Sequence, residues 1–163
     1  LVLIWVERLW RPWRMAYVEN ADSSGDECIF CSHLKEPDDR ALILHRGEHA
    51  FILMNAFPYN TGHVMVAPLR HVGDLVDLSD EERNDLMALT VRAEAAIRAA
   101  MKPDGFNMGV NVGRVAGAGV PGHVHNHVVP RWGGDTNFMT TVGDAKVLPE
   151  GLEDTYKKLR SHF

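Results

Sequence analysis

The chain has 163 residues, of which 45% are hydrophobic and 24% charged, enough apolar sequence for one domain with a real core. Its formal net charge of -5 excludes a general electrostatic hold on nucleic acid or on an anionic membrane, so an anionic substrate needs a local site. The two cysteines lie only three positions apart. This excludes a disulfide-framed secreted scaffold and favours either reduced thiols in the cytoplasm or half of a metal site.

The chain opens on Leu1-Val2-Leu3-Ile4-Trp5-Val6. This run is too short to cross a bilayer, and no small-residue cleavage site follows it, so neither a membrane span nor a secretory signal is expected. Residues 7–18 mix arginine with tryptophan and tyrosine. They read as a segment packed over the domain surface, or as a lid or partner-contact arm. Residues 20–27 are polar and contain Gly25, which reads as a loop. Cys28-Ile29-Phe30-Cys31 then has the C-x₂-C spacing with which two thiolates bind one ion, and zinc would need two further ligands.

Residues 50–56 and 63–68 are short apolar runs separated by Pro58-Tyr59-Asn60-Thr61-Gly62, which predicts two strands joined as a hairpin. Ser79 and Glu82 form a capping box at the start of a helix. Leu86, Leu89, Ala93, Ile97 and Ala100 give that helix one apolar stripe, and Lys102-Pro103-Asp104-Gly105 stops it. Residues 106–112 and 123–129 predict two more strands. The glycine-rich segment 113–122 between them reads as a mobile loop beside a ligand. Leu152, Tyr156 and Leu159 predict a last helix after Pro149. Helices segregated from a strand meander indicate an α+β fold.

Three histidines, His123, His125 and His127, alternate along the predicted last strand. Alternate strand residues share a face, so the three rings would line one side and Val124, Asn126 and Val128 the other. Burying three titratable rings requires several partners, which points to catalysis or to metal binding. Both readings stand, beside that of an accidental cluster.

His123-Val124-His125-Asn126-His127-Val128-Val129 resembles the signature of the histidine-triad (HIT) family. The resemblance extends over Phe51-Ile52-Leu53-Met54-Asn55, Pro58 to Pro68, Arg70-His71, Phe106-Asn107 through Val112, and Val129 to Phe138. It is strongest to the branch that includes bacterial diadenosine tetraphosphate phosphorylases. It implies a five-stranded antiparallel sheet with helices, paired as a homodimer. The chain would then be a single domain over 1–163, with an N-terminal arm at about 1–20 and a C-terminal extension at about 131–163. The implied activity is cleavage at the α-phosphorus of a dinucleoside polyphosphate or related nucleotide through a nucleotidyl-histidine intermediate, by hydrolysis or phosphorolysis. The alternatives are a nucleoside phosphoramidate hydrolase and a nucleotide-binding regulatory module with little turnover.

By position, His125 matches the nucleophile, for which a neutral imidazole is suited. His127 matches the residue at the phosphate or bridging oxygen, and His63 a supporting histidine behind the triad. Asn55 matches the ribose contact and Asn111 a polar residue approaching the phosphates. The loop around Gly117 and Gly119 lacks the side-chain phosphate contact of relatives, so its backbone N–H groups would substitute. Asn126 departs from the apolar spacer of the family and is expected to bond across a dimer or to a neighbouring strand. Family members with the same cysteine pair supply the two missing ligands from positions matching His71 and His123, which implies a structural zinc on Cys28, Cys31, His71 and His123.

Overall fold

The computed structural model describes residues 28–142 and 146–163. A short helix, α1 (Ile29–His33), leads into five strands: β1 (Ile43–Arg46), β2 (Ala50–Met54), β3 (Val64–Pro68), β4 (Gly105–Val110) and β5 (Asn126–Arg131). They form one antiparallel sheet in the order β1-β2-β3-β5-β4. The long helix α2 (Asp80–Met101) connects β3 to β4, and α3 (Met139–Val142) and α4 (Leu152–Arg160) follow β5. The expected N-terminal arm lies outside the described residues.

The predicted hairpin is the centre of the sheet, with Ala50 opposite Pro68 and Met54 opposite Val64. Its strands carry no polar alternation because both faces are covered. Ala50, Ile52, Met54, Val64 and Val66 pack against α2, while Phe51, Leu53, Met65 and Ala67 pack with Phe30 of α1. A continuous apolar run is what a strand buried on both faces requires.

Helix α2 begins as its sequence dictates. The Ser79 side chain accepts from the N–H of Glu82, and the Glu82 carboxylate accepts from the N–H of Ser79. Leu86, Leu89, Ala93 and Ile97 are buried against the sheet. The helix ends at Lys102, whose φ of 50° is left-handed, immediately before Pro103. Asp85, one turn in from the cap, accepts from the N–H groups of His49 and Ala50 at 2.7 and 2.9 Å, which ties the β1–β2 turn to α2. Helix α4 docks Leu159 and Tyr156 into the same core, and the Tyr156 hydroxyl donates to the Ile43 carbonyl at 3.1 Å.

Four local expectations change. β1 and α1 are present although no periodic signal marked them, being four and five residues long. β4 ends at Val110 rather than at residue 112. β5 begins at Asn126 rather than at residue 123, because Val124 N–H turns to the Val72 carbonyl (2.7 Å) instead of continuing the ladder with β3. The Asn126 side chain turns to a helix instead of a neighbouring strand. Its amide donates to the Thr90 hydroxyl of α2 at 3.0 Å, within the helix-side core. Among the described residues, no helix is long and apolar enough to cross a membrane.

Candidate active site

His125 and His127 project from the face of the sheet that carries α1, while Val124, Asn126 and Val128 face α2. The alternation expected from the sequence therefore holds, although only His127 lies within the ladder, opposite Met65 and Gly109. The rings of His125 and His127 are 4.8 Å apart and nearly perpendicular.

Each ring's hydrogen bonds decide where its proton sits. His125 Nδ1 lies 2.8 Å from the carbonyl oxygen of His123. A carbonyl can only accept, so Nδ1 carries the hydrogen and Nε2 keeps a free lone pair. Burial pushes the His125 pKa below the ordinary histidine value, with the His123 carbonyl acting in the opposite sense. A buried, neutral imidazole with a bare Nε2 is a competent nucleophile.

The second chain of bonds runs through His63, which is fully buried. Its Nδ1 accepts from the Tyr59 N–H at 3.1 Å and faces the Asn55 amide at 3.2 Å. Nε2 must then carry the hydrogen, which it donates to His127 Nδ1 at 3.0 Å. A neutral His127 so bonded holds its own hydrogen on Nε2. The two neighbouring triad rings thus present opposite functions, a lone pair from His125 and a donor from His127.

The third histidine of the motif serves a different centre. His123 is fully buried, and its Nε2 donates to the Pro68 carbonyl at 2.8 Å. Its Nδ1 points to the Sγ atoms of Cys28 and Cys31 at 3.3 and 3.7 Å, and His71 Nδ1 is 3.5 Å from Cys31 Sγ. The four ligand atoms lie within 4.8 Å of one another and could hold a metal ion. The donor set fits zinc: metal–sulfur bonds of ~2.3 Å and metal–nitrogen bonds of ~2.1 Å in a tetrahedron place ligand atoms about 3.6 Å apart. Burial lowers the His123 pKa to about 4, so the ring is neutral as a ligand must be. Gly73 and Gly122 make this corner possible, since a Cβ on Gly73 would sit 2.8 Å from the Pro121 carbonyl oxygen and one on Gly122 would sit 3.3 Å from His71 Nε2.

The remaining candidates are more dispersed. Asn55 Oδ1 accepts from the Phe57 N–H at 2.9 Å while its amide faces His63, so it supports the turn behind the triad. Asn111 is half-buried just past β4, where continuation of the β4–β5 register brings it level with His125. Gly117, at φ 90°, is exposed and its N–H is bonded to the Arg114 carbonyl at 2.9 Å. Gly119 is half-buried in the same loop. A cavity of 390 Å³ between the β2–β3 turn and residues 148–155 contains none of the triad histidines.

Sequence reasoning missed two contributors. Phe30, between the two cysteines, is buried with its ring centre 4.8 Å from His125 and 5.0 Å from His123. Its place inside the C-x₂-C turn was the available signal. Asp135 accepts two bonds from Arg131, at 2.7 and 2.9 Å, and one from Asn60 at 2.8 Å. This clamps the β2–β3 turn that carries Tyr59 and His63, and no local pattern reveals a pairing across 75 positions.

Comparison with known proteins shows the family. The HIT domain model matches residues 36–134. The AP-4-A phosphorylase of Mycobacterium tuberculosis (strain H37Rv) is 41% identical over 97% of this chain and 85% of its own length. An uncharacterised HIT-like protein of Methanocaldococcus jannaschii is 32% identical over 82% of this chain and 98% of its own. The solved structure of a Zn-bound histidine triad family protein from Mycobacterium smegmatis superposes with a TM-score of 0.67. It is 27% identical, covering 83% of this chain and 92% of that one. The sheet, the paired histidine functions and these similarities together place the chain in the HIT family.

Proposed function

We propose that the protein cleaves dinucleoside polyphosphates, diadenosine tetraphosphate among them, by covalent catalysis. The observation that carries this reading is the pair of opposed tautomers, a bare Nε2 on His125 beside an Nε2–H on His127. The similarity to a relative called AP-4-A phosphorylase supports the substrate class.

His125 Nε2 attacks the α-phosphorus with its lone pair and forms a P–N bond. The bond from that phosphorus to the bridging oxygen breaks, and its electron pair leaves with the nucleoside polyphosphate. His127 Nε2–H faces the departing charge and donates to it. The positive charge left on the His125 ring is stabilised by the His123 carbonyl on Nδ1–H. An oxygen of inorganic phosphate, or of water, then attacks the same phosphorus and the P–N bond breaks. Phosphate would give ADP plus ATP from diadenosine tetraphosphate, and water AMP plus ATP.

In this reading Asn111 and Gly119 approach the phosphates, and Asn55 approaches the ribose. Gly117 contributes its N–H only after the loop turn at Arg114 opens. Zinc on Cys28, Cys31, His71 and His123 has a structural role, since four protein ligands close its coordination. The exposed outer edge of β4, with Met108 and the nearby Val112 uncovered, supports pairing of two chains there. The low cysteine count supports a cytoplasmic setting.

The test is mass spectrometry of products from diadenosine tetraphosphate in ¹⁸O-labelled water with phosphate present. Unlabelled ADP with ATP reports phosphorolysis, and labelled AMP with ATP reports hydrolysis. Absence of both products, together with absence of a nucleotidyl adduct on the protein, would refute the proposal.

A further inference from the structure

We propose that Phe30 is a positioning residue for His125, and that the Cys28–Cys31 metal turn is what holds Phe30 in place. The reading rests on His125 being the nucleophile.

Among the described residues, a single hydrogen bond tethers the His125 ring, from Nδ1–H to the His123 carbonyl. The imidazole χ2 torsion is soft, so one bond leaves the ring free to rock and to sweep Nε2 off the line of attack. Packing must fix the remaining freedom. His127 stands on one side at 4.8 Å, and Phe30 contributes a second ring surface at 4.8 Å with an interplanar angle of 39°. Phe30 also touches the His123 ring and meets Phe51 edge-on at 6.4 Å. It therefore contacts both the residue that orients the nucleophile and the nucleophile itself.

Phe30 lies in α1, a helix of only five residues whose N-cap, Cys28, makes no side-chain capping bond. So short a helix is not stable by its own hydrogen bonds. Cys28 and Cys31 flank Phe30, and their sulfurs converge on His71 and His123. One ion on those four groups would lock the turn to the segments after β3 and before β5, with Phe30 directed onto His125. Binding at the cluster would thus be read out at the nucleophile through the side chain of Phe30, which is not one of the four ligand groups. Misplacing a reacting atom by about 1 Å costs on the order of 100-fold in rate.

The experiment compares holoprotein, chelator-treated protein, Phe30→Leu, and Phe30→Leu after chelation. Leucine keeps an apolar side chain in the core and so protects folding better than alanine. Two readouts are used: the rate of nucleotidyl-His125 formation in a single turnover, with kcat and KM, and the ¹⁵N ring signals of His125 without substrate. The expected result is a fall in kcat of about 10- to 100-fold in each single perturbation, with KM within about twofold. The combined loss should fall well short of the product of the two single losses, because both act on the Phe30–His125 contact while chelation also releases the His123 ring. In Phe30→Leu, zinc content should stay near that of the wild type while the His125 signals broaden or shift. Losses that multiply, or His125 signals indifferent to both perturbations, would overturn the proposal. The ring signals need no substrate. A wild-type protein that turns over no dinucleotide therefore refutes the functional proposal alone.

Discussion

At the scale of single residues, the site works by assigning one proton to each ring. His125 and His127 are chemically identical side chains two positions apart, and only their partners fit one to the proposed role of nucleophile and the other to that of donor. His125→Ala is expected to abolish the nucleotidylated enzyme and cost several orders of magnitude in turnover, while substrate binding persists. Trapping the same adduct on that variant would contradict the assignment. His127→Asn should slow substrates with poor leaving groups far more than those with good ones, because only the former need a proton. A rate series across leaving groups of graded pKa checks this. Uniform slowing would leave His127 a purely electrostatic role.

At the scale of elements, the start of α2 shows how a local motif acquires a tertiary partner. Glu82 closes the capping box and also accepts two bonds from Arg70, which comes from the segment after β3. The Arg70 guanidinium, assisted by the Ser79 N–H, lowers the Glu82 pKa to about 2. A carboxyl whose folded pKa is depressed stabilises the fold fully above its unfolded value. That contribution is lost as pH falls from about 4.5 toward about 2. Glu82→Gln keeps the capping box but loses the charge that faces Arg70, and should therefore cost about 1 kcal/mol at neutral pH, the upper end for a partly exposed ion pair. The gap from wild type should narrow in denaturant titrations as pH drops through 4. A gap independent of pH would mean that the charge on Glu82 contributes nothing.

At the scale of the whole molecule, two features tie distant segments together. The cluster of Cys28, Cys31, His71 and His123, which could hold a metal ion, joins α1, the segment after β3 and the approach to β5. We expect about one zinc per chain by elemental analysis, and its loss in Cys28→Ser. Removal should lower the melting temperature by on the order of 10 °C, since a ligand bound only to the folded form adds its binding energy to stability. A chelator without effect on melting would remove the structural role. The open edge of β4 is the second feature. Light scattering should report a dimer, and Met108→Asp should shift it toward monomer by placing a charge in the interface core. A wild-type protein that is monomeric at tens of micromolar would dispose of that surface.

The sequence by itself determined the elements whose signals are local. The Ser79–Glu82 cap and the stripe from Leu86 to Ile97 specify α2, because both act within a few residues. The apolar runs at β2 and β3 specify strands buried on two faces, and the alternation of His123, His125 and His127 puts them on one side. The C-x₂-C spacing marked half of the cluster that could hold a metal ion for the same reason. What the tertiary structure decided lies in partners far along the chain. No local rule makes His123 a member of the cysteine cluster and His125 its neighbour's client, since that division depends on Pro68 and Cys28 meeting His123 across 55 and 95 positions. Nor could the sequence start β5 at Asn126, because the ladder stops where Val124 finds Val72. The tautomers of the triad are likewise tertiary facts: an imidazole carries one proton and two nitrogens, and only a donor or acceptor brought in by folding decides between them.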